Sequence, residues 1–212
     1  MQPGQLTYAV EVAATQRGGQ DRARVLEVGD TLIVVLADGA GGTGDGATAA
    51  QAVVDAVSSA ADTAHDVCAL LVELDRAPKR LGNGQSTAVI LSIRDGVASG
   101  ASVGDSGAWL LQGGNVVDLT YGQQRKPLVG DGCAPWRIPR TRLNGGTLLV
   151  ASDGLLRYAK RPDIVRIASG EDLQAAARAL IDVVRLPNGV LQDDVAVVLC
   201  RESAERSPAG RR

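Results

Sequence analysis

Apolar and polar positions alternate weakly along Leu6–Ala13, which predicts an edge strand, and again over the shorter Arg24–Val28. Thr31–Ala37 (TLIVVLA) is different: a nearly unbroken apolar run, the pattern of a strand covered on both faces. It runs into DGAGGTGDG at 38–46, whose glycines suit neither helix nor strand. The period then changes. Val53, Val57, Ala60, Ala64, Val67, Leu71 and Leu74 recur at helical spacing within an Ala-rich stretch from Ala47 to Leu74. That predicts one long helix or a broken pair, stopped by Pro78, with a loop over Lys79–Gln85.

Three runs of strand character follow, Thr87–Ile93, Val97–Val103 and Ala108–Gln112, with Val116–Leu119 closing the meander. Asp95-Gly96 between the first two is a hairpin dipeptide. Tyr121–Pro135, rich in Gly, Pro and charge, reads as a mobile loop. Thr147–Ala151 is a buried strand that stops at Ser152-Asp153-Gly154. Leu173, Ala177, Leu180, Ile181 and Val184 mark one face of a helix over Asp172–Arg185, and Val195–Cys200 is the last strand. With no internal repeat and no clear linker, one domain over residues 1–200 is expected. Residues 201–212 read as a disordered tail.

Composition narrows the picture. The chain has 212 residues, no Phe, two Trp and three Tyr, so Val, Leu, Ile and Ala must fill the core. Its 26 glycines point to many tight turns. A formal net charge of −2 with no basic stripe excludes nucleic acid and anionic membranes as expected partners. Cys68, Cys133 and Cys200 are odd in number and scattered, which argues against a disulfide framework or zinc site and fits a reducing compartment. No apolar run approaches the roughly 18 residues of a membrane span, and a soluble cytoplasmic protein is expected.

The candidate chemistry lies where apolar runs meet aspartates. LIVVLA runs into Asp38-Gly39, TLLVA runs through Ser152 into Asp153-Gly154, and Asp193-Asp194 opens VAVVL. Neighbouring strands would bring these carboxylates from distant positions to one edge of the core. Carboxylate oxygens beside accessible backbone carbonyls are what Mg²⁺ or Mn²⁺ require. One Asp-Gly alone means little, since it is a common turn dipeptide and the chain holds five, at 38, 45, 95, 131 and 153. The ordered combination is what carries information.

That combination resembles the metal-dependent protein phosphatase (PPM, type-2C serine/threonine phosphatase) family. Gly19-Gln20-Asp21-Arg22 is similar to the family's early Asn-x-Asp element. Asp38-Gly39-Ala40-Gly41-Gly42 resembles DGxGG, and Gly84-Gln85-Ser86-Thr87-Ala88 resembles GSTA with one inserted residue. Val103-Gly104-Asp105-Ser106-Gly107-Ala108-Trp109 looks like VGDSRAY. Ser152-Asp153-Gly154-Leu155 matches SDGL, and Gln192-Asp193-Asp194-Val195-Ala196-Val197 resembles KDNITV. The match runs over roughly residues 8 to 200.

The resemblance implies an α+β fold, a four-layer αββα sandwich of two antiparallel β-sheets flanked by α-helices. It implies two divalent cations, Mn²⁺ or Mg²⁺. Asp38 would bridge both, the Gly39 carbonyl would serve the second, and Asp153 and Asp193 would complete the first. Asp21 would act through bound water. The implied activity is hydrolysis of phosphomonoesters on phosphorylated proteins, by in-line attack of a metal-bridging hydroxide. The Gly/Ala/Val/Arg-rich composition has a bacterial look, so the expected partners are a regulatory phosphoprotein and a cognate kinase.

The chain also departs from the pattern. Ala40 stands where many relatives carry His or Met, Gly107 replaces the GDSR arginine, and Arg157 replaces the second aspartate of SDGxxD. Relatives place a phosphate-gripping Arg five residues before the early Asp; here that position is Gln16, and Arg17 is the candidate clamp. The segment after Thr120 is short, which implies an open site. His65 reads as an ordinary helix residue. Two other readings stand beside this one. A catalytically inert binding module is one, and a dinucleotide-binding oxidoreductase built on the GxGxxG at 39–44 is the other. Since no thiol has a role in the phosphatase reading, Cys-directed alkylation of the native protein is expected to leave turnover intact. Stoichiometric loss of activity with labelling would reopen the question of the nucleophile.

Overall fold

The computed structural model describes residues 6–15, 19–41, 45–61 and 66–202. Ten strands and five helices build it: β1 (Leu6–Ala13), β2 (Asp21–Val28), β3 (Thr31–Asp38), α1 (Gly46–Ala60), α2 (Val67–Asp75), β4 (Ala88–Arg94), β5 (Val97–Val103), β6 (Gly107–Gln112), β7 (Asn115–Asp118), β8 (Trp136–Arg142), β9 (Thr147–Ala151), α3 (Asp153–Leu156), α4 (Arg161–Ala168), α5 (Leu173–Asp182) and β10 (Val195–Glu202). The strands form two five-stranded sheets of order β1-β10-β9-β6-β7 and β2-β3-β4-β5-β8. Every pairing between these strands is antiparallel.

The apolar runs divide between two faces. Leu32, Val34 and Leu36 of β3 point between the sheets, with Val89, Leu91 and Ile93 of β4 and Ala196, Val198 and Cys200 of β10. The alternate residues Val35 and Ala37 meet Val53 and Val57 of α1 and Leu71 and Leu74 of α2. On the far side, Val197 and Leu199 of β10 pack with Leu149, Ile164, Leu180 and Ile181. The order is therefore helix, sheet, sheet, helix. This explains why β3, β9 and β10 read as continuous apolar segments although antiparallel strands more often face water on one side. The expected αββα sandwich is what forms.

Local chemistry sets several boundaries. Asp45 caps α1 by accepting from the Thr48 amide, and Asp172 caps α5 by accepting from Gln174 and Ala175. The Ala-rich stretch is a pair of helices, with Asp66 capping the second. Asp95 and Gly96 both adopt positive φ, 50° and 67°, as a tight two-residue hairpin requires. Three elements carry no clear sequence period: β8, α3 and α4. β10 continues past Cys200 because Arg201 is anchored, donating to the carbonyls of Ala168 and Gly170 and to Thr147 Oγ1. The 121–135 loop is tethered by the Ser86–Val129 bridge and by Asp75 Oδ1, which accepts from the Gly130, Gly132 and Cys133 amides. Gly44 and His65 lie outside the described residues. The GxGxxG reading fails on topology, because β3 pairs antiparallel with both neighbours and belongs to no parallel unit. Among the described residues no helix is long and apolar enough to cross a membrane.

The antiparallel register also gathers particular strand ends. Asp21 at the start of β2 pairs with Asp38 at the end of β3, and Ala88 at the start of β4 pairs with Val103 at the end of β5. In the other sheet Ala13 pairs with Val195, while Ala151 faces both Val197 and Gly107. Truncating the inter-sheet core at Leu91→Ala removes a side chain with no exposed surface. A loss of about 2–5 kcal/mol is expected, read from the urea midpoint of the purified variant.

Candidate metal centre

These gathered strand ends line a cavity of about 570 Å³. Asp38, Asp105, Asp153, Asp193 and Asp194 contribute five carboxylates, joined by Gln20, Gly39, Ala40, Gly41, Thr87, Arg125, Lys126 and Leu128. Asp38, Gly39, Asp153 and Asp193, the expected cation ligands, are thus brought together. Asp21 sits behind them, only 2% exposed. Arg17, the candidate phosphate clamp, lies outside the described residues.

The backbone around Asp38 is held from several directions. The Asp38 amide donates to Thr87 Oγ1 at 2.9 Å, and the Thr87 amide returns a bond to the Asp38 carbonyl at 2.8 Å. Ser86 Oγ donates to the same carbonyl, and Thr87 Oγ1 lies 2.7 Å from Ser106 Oγ. Gly39 donates to the Gln20 carbonyl, and Ala40 to that of Gln85. Glycine is required at 39, since a Cβ there would lie 2.2 Å from the Gly46 carbonyl oxygen. The other sheet is stitched across the same end, with Ser152 Oγ accepting from the Ala196 amide at 2.9 Å.

Burial and mutual repulsion dominate the electrostatics. Asp38 is held far above the usual carboxylate range, first by burial and then by the charges of Asp21 and Asp153. Asp21 is also raised by burial, against a hydrogen bond from Ser152. The charge of Asp21 is one of the causes that raises its neighbour Asp38, so the two carboxyls do not both ionise cheaply. Asp153 is raised by burial, then by Asp105 and Asp193. Among the described residues the cavity offers only two cationic side chains, and Arg125 is committed to Asp105 at 2.6 Å.

This donor set fits hard divalent cations. Carboxylates outnumber the cationic side chains that line the cavity, and among the described residues Asp21 Oδ2 is buried without a hydrogen-bond partner. Among the described residues no three His, Cys, Asp or Glu side chains close on one point as a complete cage. An open carboxylate-lined pocket matches ions that keep several waters rather than a closed site of the zinc type.

Residues 28–202 match the description of the Stage II sporulation protein E (SpoIIE) family. No curated protein matches the chain in sequence. Among solved structures, a serine/threonine phosphatase of S. agalactiae aligns with a TM-score of 0.80 at 20% identity, covering 94% of this chain and 100% of that one. The catalytic domain of the serine/threonine phosphatase PstP, in complex with two manganese ions, aligns at 0.72 and 20% identity, covering 92% and 97%. PppA of Pseudomonas aeruginosa, described as a key regulatory component of T6SS, aligns at 0.73 and 19% identity, covering 93% and 98%. At these identities the likeness establishes the fold.

Sequence reasoning left Ser86, Thr87, Ser106, Ser152 and Asp194 without individual roles. The GSTA, GDS and SDG resemblances contain four of them, and the structure supplies the reason: their hydroxyls frame the acidic strand ends. Replacing Thr87 by Val keeps the shape but orphans the Asp38 amide and the buried Ser106 hydroxyl. The expected loss of stability is about 1–3 kcal/mol, measured by urea denaturation against wild type.

Proposed function

The chain belongs to the Stage II sporulation protein E (SpoIIE) family, and from that premise we propose that it is a metal-dependent phosphoprotein phosphatase acting on phosphoserine or phosphothreonine with two divalent cations, Mn²⁺ or Mg²⁺. The observation that carries this reading is the convergence of Asp38, Asp153 and Asp193 on one open cavity at the end of the sandwich. In this reading Asp38 would hold both cations, the Gly39 carbonyl the second, and Asp153 and Asp193 the first. When bound, such a pair supplies an acidified water as nucleophile and neutralises charge on the phosphoryl oxygens.

The chain's own groups do the rest. The Asp38–Gly39 backbone is fixed by Thr87, Ser86 and Gln20, so its donors are oriented before any ligand arrives. Asp21, buried behind Asp38, is assigned the orientation of water through its unpaired oxygen. Arg125 and Lys126 set positive charge at the edge of an acidic floor and draw in a dianionic phosphate. Arg17 remains the proposed second grip on that phosphate. Covalent thiol catalysis has no support: burial pushes Cys133 and Cys200 up to about 12 and also raises Cys68, so all three stay protonated. Their free state agrees with a reducing, cytoplasmic setting. A phosphorylated protein, with a cognate kinase to form it, is the proposed partner. The openness of the cavity suits a phosphorylated loop or tail.

The test is hydrolysis of p-nitrophenyl phosphate and of a phosphothreonine peptide by purified protein, with Mn²⁺ or excess chelator. Chelation is expected to abolish turnover and Mn²⁺ to restore it; full activity in excess chelator contradicts the proposal. Asp38→Asn is expected to lose more than about a hundredfold, the upper end of losses from mutating even outer partners of metal ligands. Wild-type turnover in that variant would remove Asp38 from its bridging role.

A further inference from the structure

Asp193 and Asp194 are adjacent, yet they face different work. Asp194 is only 8% exposed, and both of its oxygens are engaged by backbone amides. Oδ1 accepts from Thr15 at 2.7 Å and Oδ2 from Gln20 at 2.6 Å. One of these amides follows the end of β1 and the other precedes the start of β2. Charge-assisted bonds this short from two separate peptide groups make a strong tie. Gln20 is held at its other end too, because its carbonyl accepts from the Gly39 amide at 3.3 Å.

We propose that Asp194 is a positioning residue: its carboxylate clamps the Thr15 peptide after β1 to the Gln20 peptide before β2 and, through Gln20, sets the Gly39 side of the cation pocket. The last step rests on the phosphatase reading of that pocket. Asp194 is itself anchored. Its amide donates to Asp193 Oδ1 at 3.0 Å, and its carbonyl lies so near Gly154 that a Cβ there would stand 2.0 Å away. The clamp therefore links the start of α3 and the start of β10 to the start of β2 and the end of β3 in the other sheet. Charge matters as well as shape. Two N–H donors aim at the group, and a carboxylate answers both with acceptors. An asparagine turns its NH₂ toward one of them and leaves donor against donor.

Asp194→Asn, with native spectra confirmed, separates this role from general support. Hydrogen exchange at the Thr15 and Gln20 amides is expected to accelerate about ten- to a hundredfold, the equivalent of losing a hydrogen bond to a charged group. In a Mn²⁺ titration by calorimetry, one of two binding steps is expected to weaken about tenfold while the other keeps its wild-type affinity. Wild-type affinity at both steps, or equal weakening of both, overturns the inference. Should the variant not fold, the wild-type protein decides: Thr15 and Gln20 amides that exchange as fast as free backbone refute the clamp. Wild-type protein that takes up no Mn²⁺ fails the phosphatase reading and, with it, the step from Gln20 to the pocket. Exposed amides in a protein that does take up Mn²⁺ fail the clamp alone.

Discussion

Asp21 at the start of β2 and Asp38 at the end of β3 are direct cross-strand partners, and Asp21 is almost wholly removed from water. A buried acid and the half-buried acid beside it cannot both ionise cheaply, and Asp153 and Asp193 add further negative charge around them. Such a grouping persists only in a frame rigid enough to prevent its relaxation toward solvent. The frame is visible. Hydroxyls of Ser86, Thr87 and Ser152 bond to the backbone around the acidic strand ends, Ser106 Oγ bonds to Thr87 Oγ1, and Gly39 admits α1 at a distance no side chain would allow. The surrounding layers explain how that strain is borne, since each central strand is buried on both faces and gives its end little freedom. Divalent cations are the natural counter-charge in such a place, which is why the family reading and the electrostatics agree.

Much of this fold was legible because four-layer packing writes itself into the chain. A strand covered on both faces loses the polar half of its alternation, so β3, β9 and β10 stand out, and each meets an aspartate at one end. The helical period of the Ala-rich stretch and the Asp95-Gly96 hairpin were equally direct, since both depend on neighbours in sequence. What stayed hidden depends on distant partners or on too few residues. β8 reads WRIPRTR; it is an edge strand with charged residues and an internal proline, features that protect an edge and erase the apolar pattern. α3 spans a single turn, and α4 buries only Ile164 and Ala168.

The site divides in the same way. Its aspartates announced themselves by ending apolar runs. The groups that hold them did not, because a serine or threonine gains its meaning from a partner 44 or 49 residues away, as with Ser152 and Ala196 or Thr87 and Asp38. Asp194 is the extreme case. It looked like the spare member of an Asp-Asp pair, whereas its bonds reach residues 174 and 179 positions earlier. Neither periodicity nor composition encodes such a contact.

The loop between Thr120 and Trp136 shows how stiffness and freedom are apportioned around the cavity. Its composition suggests motion throughout, but the far half is bound down, with three amides converging on Asp75 and Val129 bridging to Ser86. The near half is tied as well, by the Gly104 amide to the Gln124 carbonyl and by Gln123 Nε2 to the Ser106 carbonyl, but it carries Arg125, whose side chain is 77% exposed and, among the described residues, paired with Asp105. Exposed ion pairs of this kind contribute little to stability and exchange partners readily. A dianion entering the cavity competes with Asp105 for that guanidinium on favourable terms, because bidentate phosphate recognition suits arginine. The acidic floor is therefore rigid, as fixed donors for the proposed cations would require. In the proposed phosphatase the exposed Arg125 side chain would be free to turn toward the phosphate of an incoming phosphoprotein.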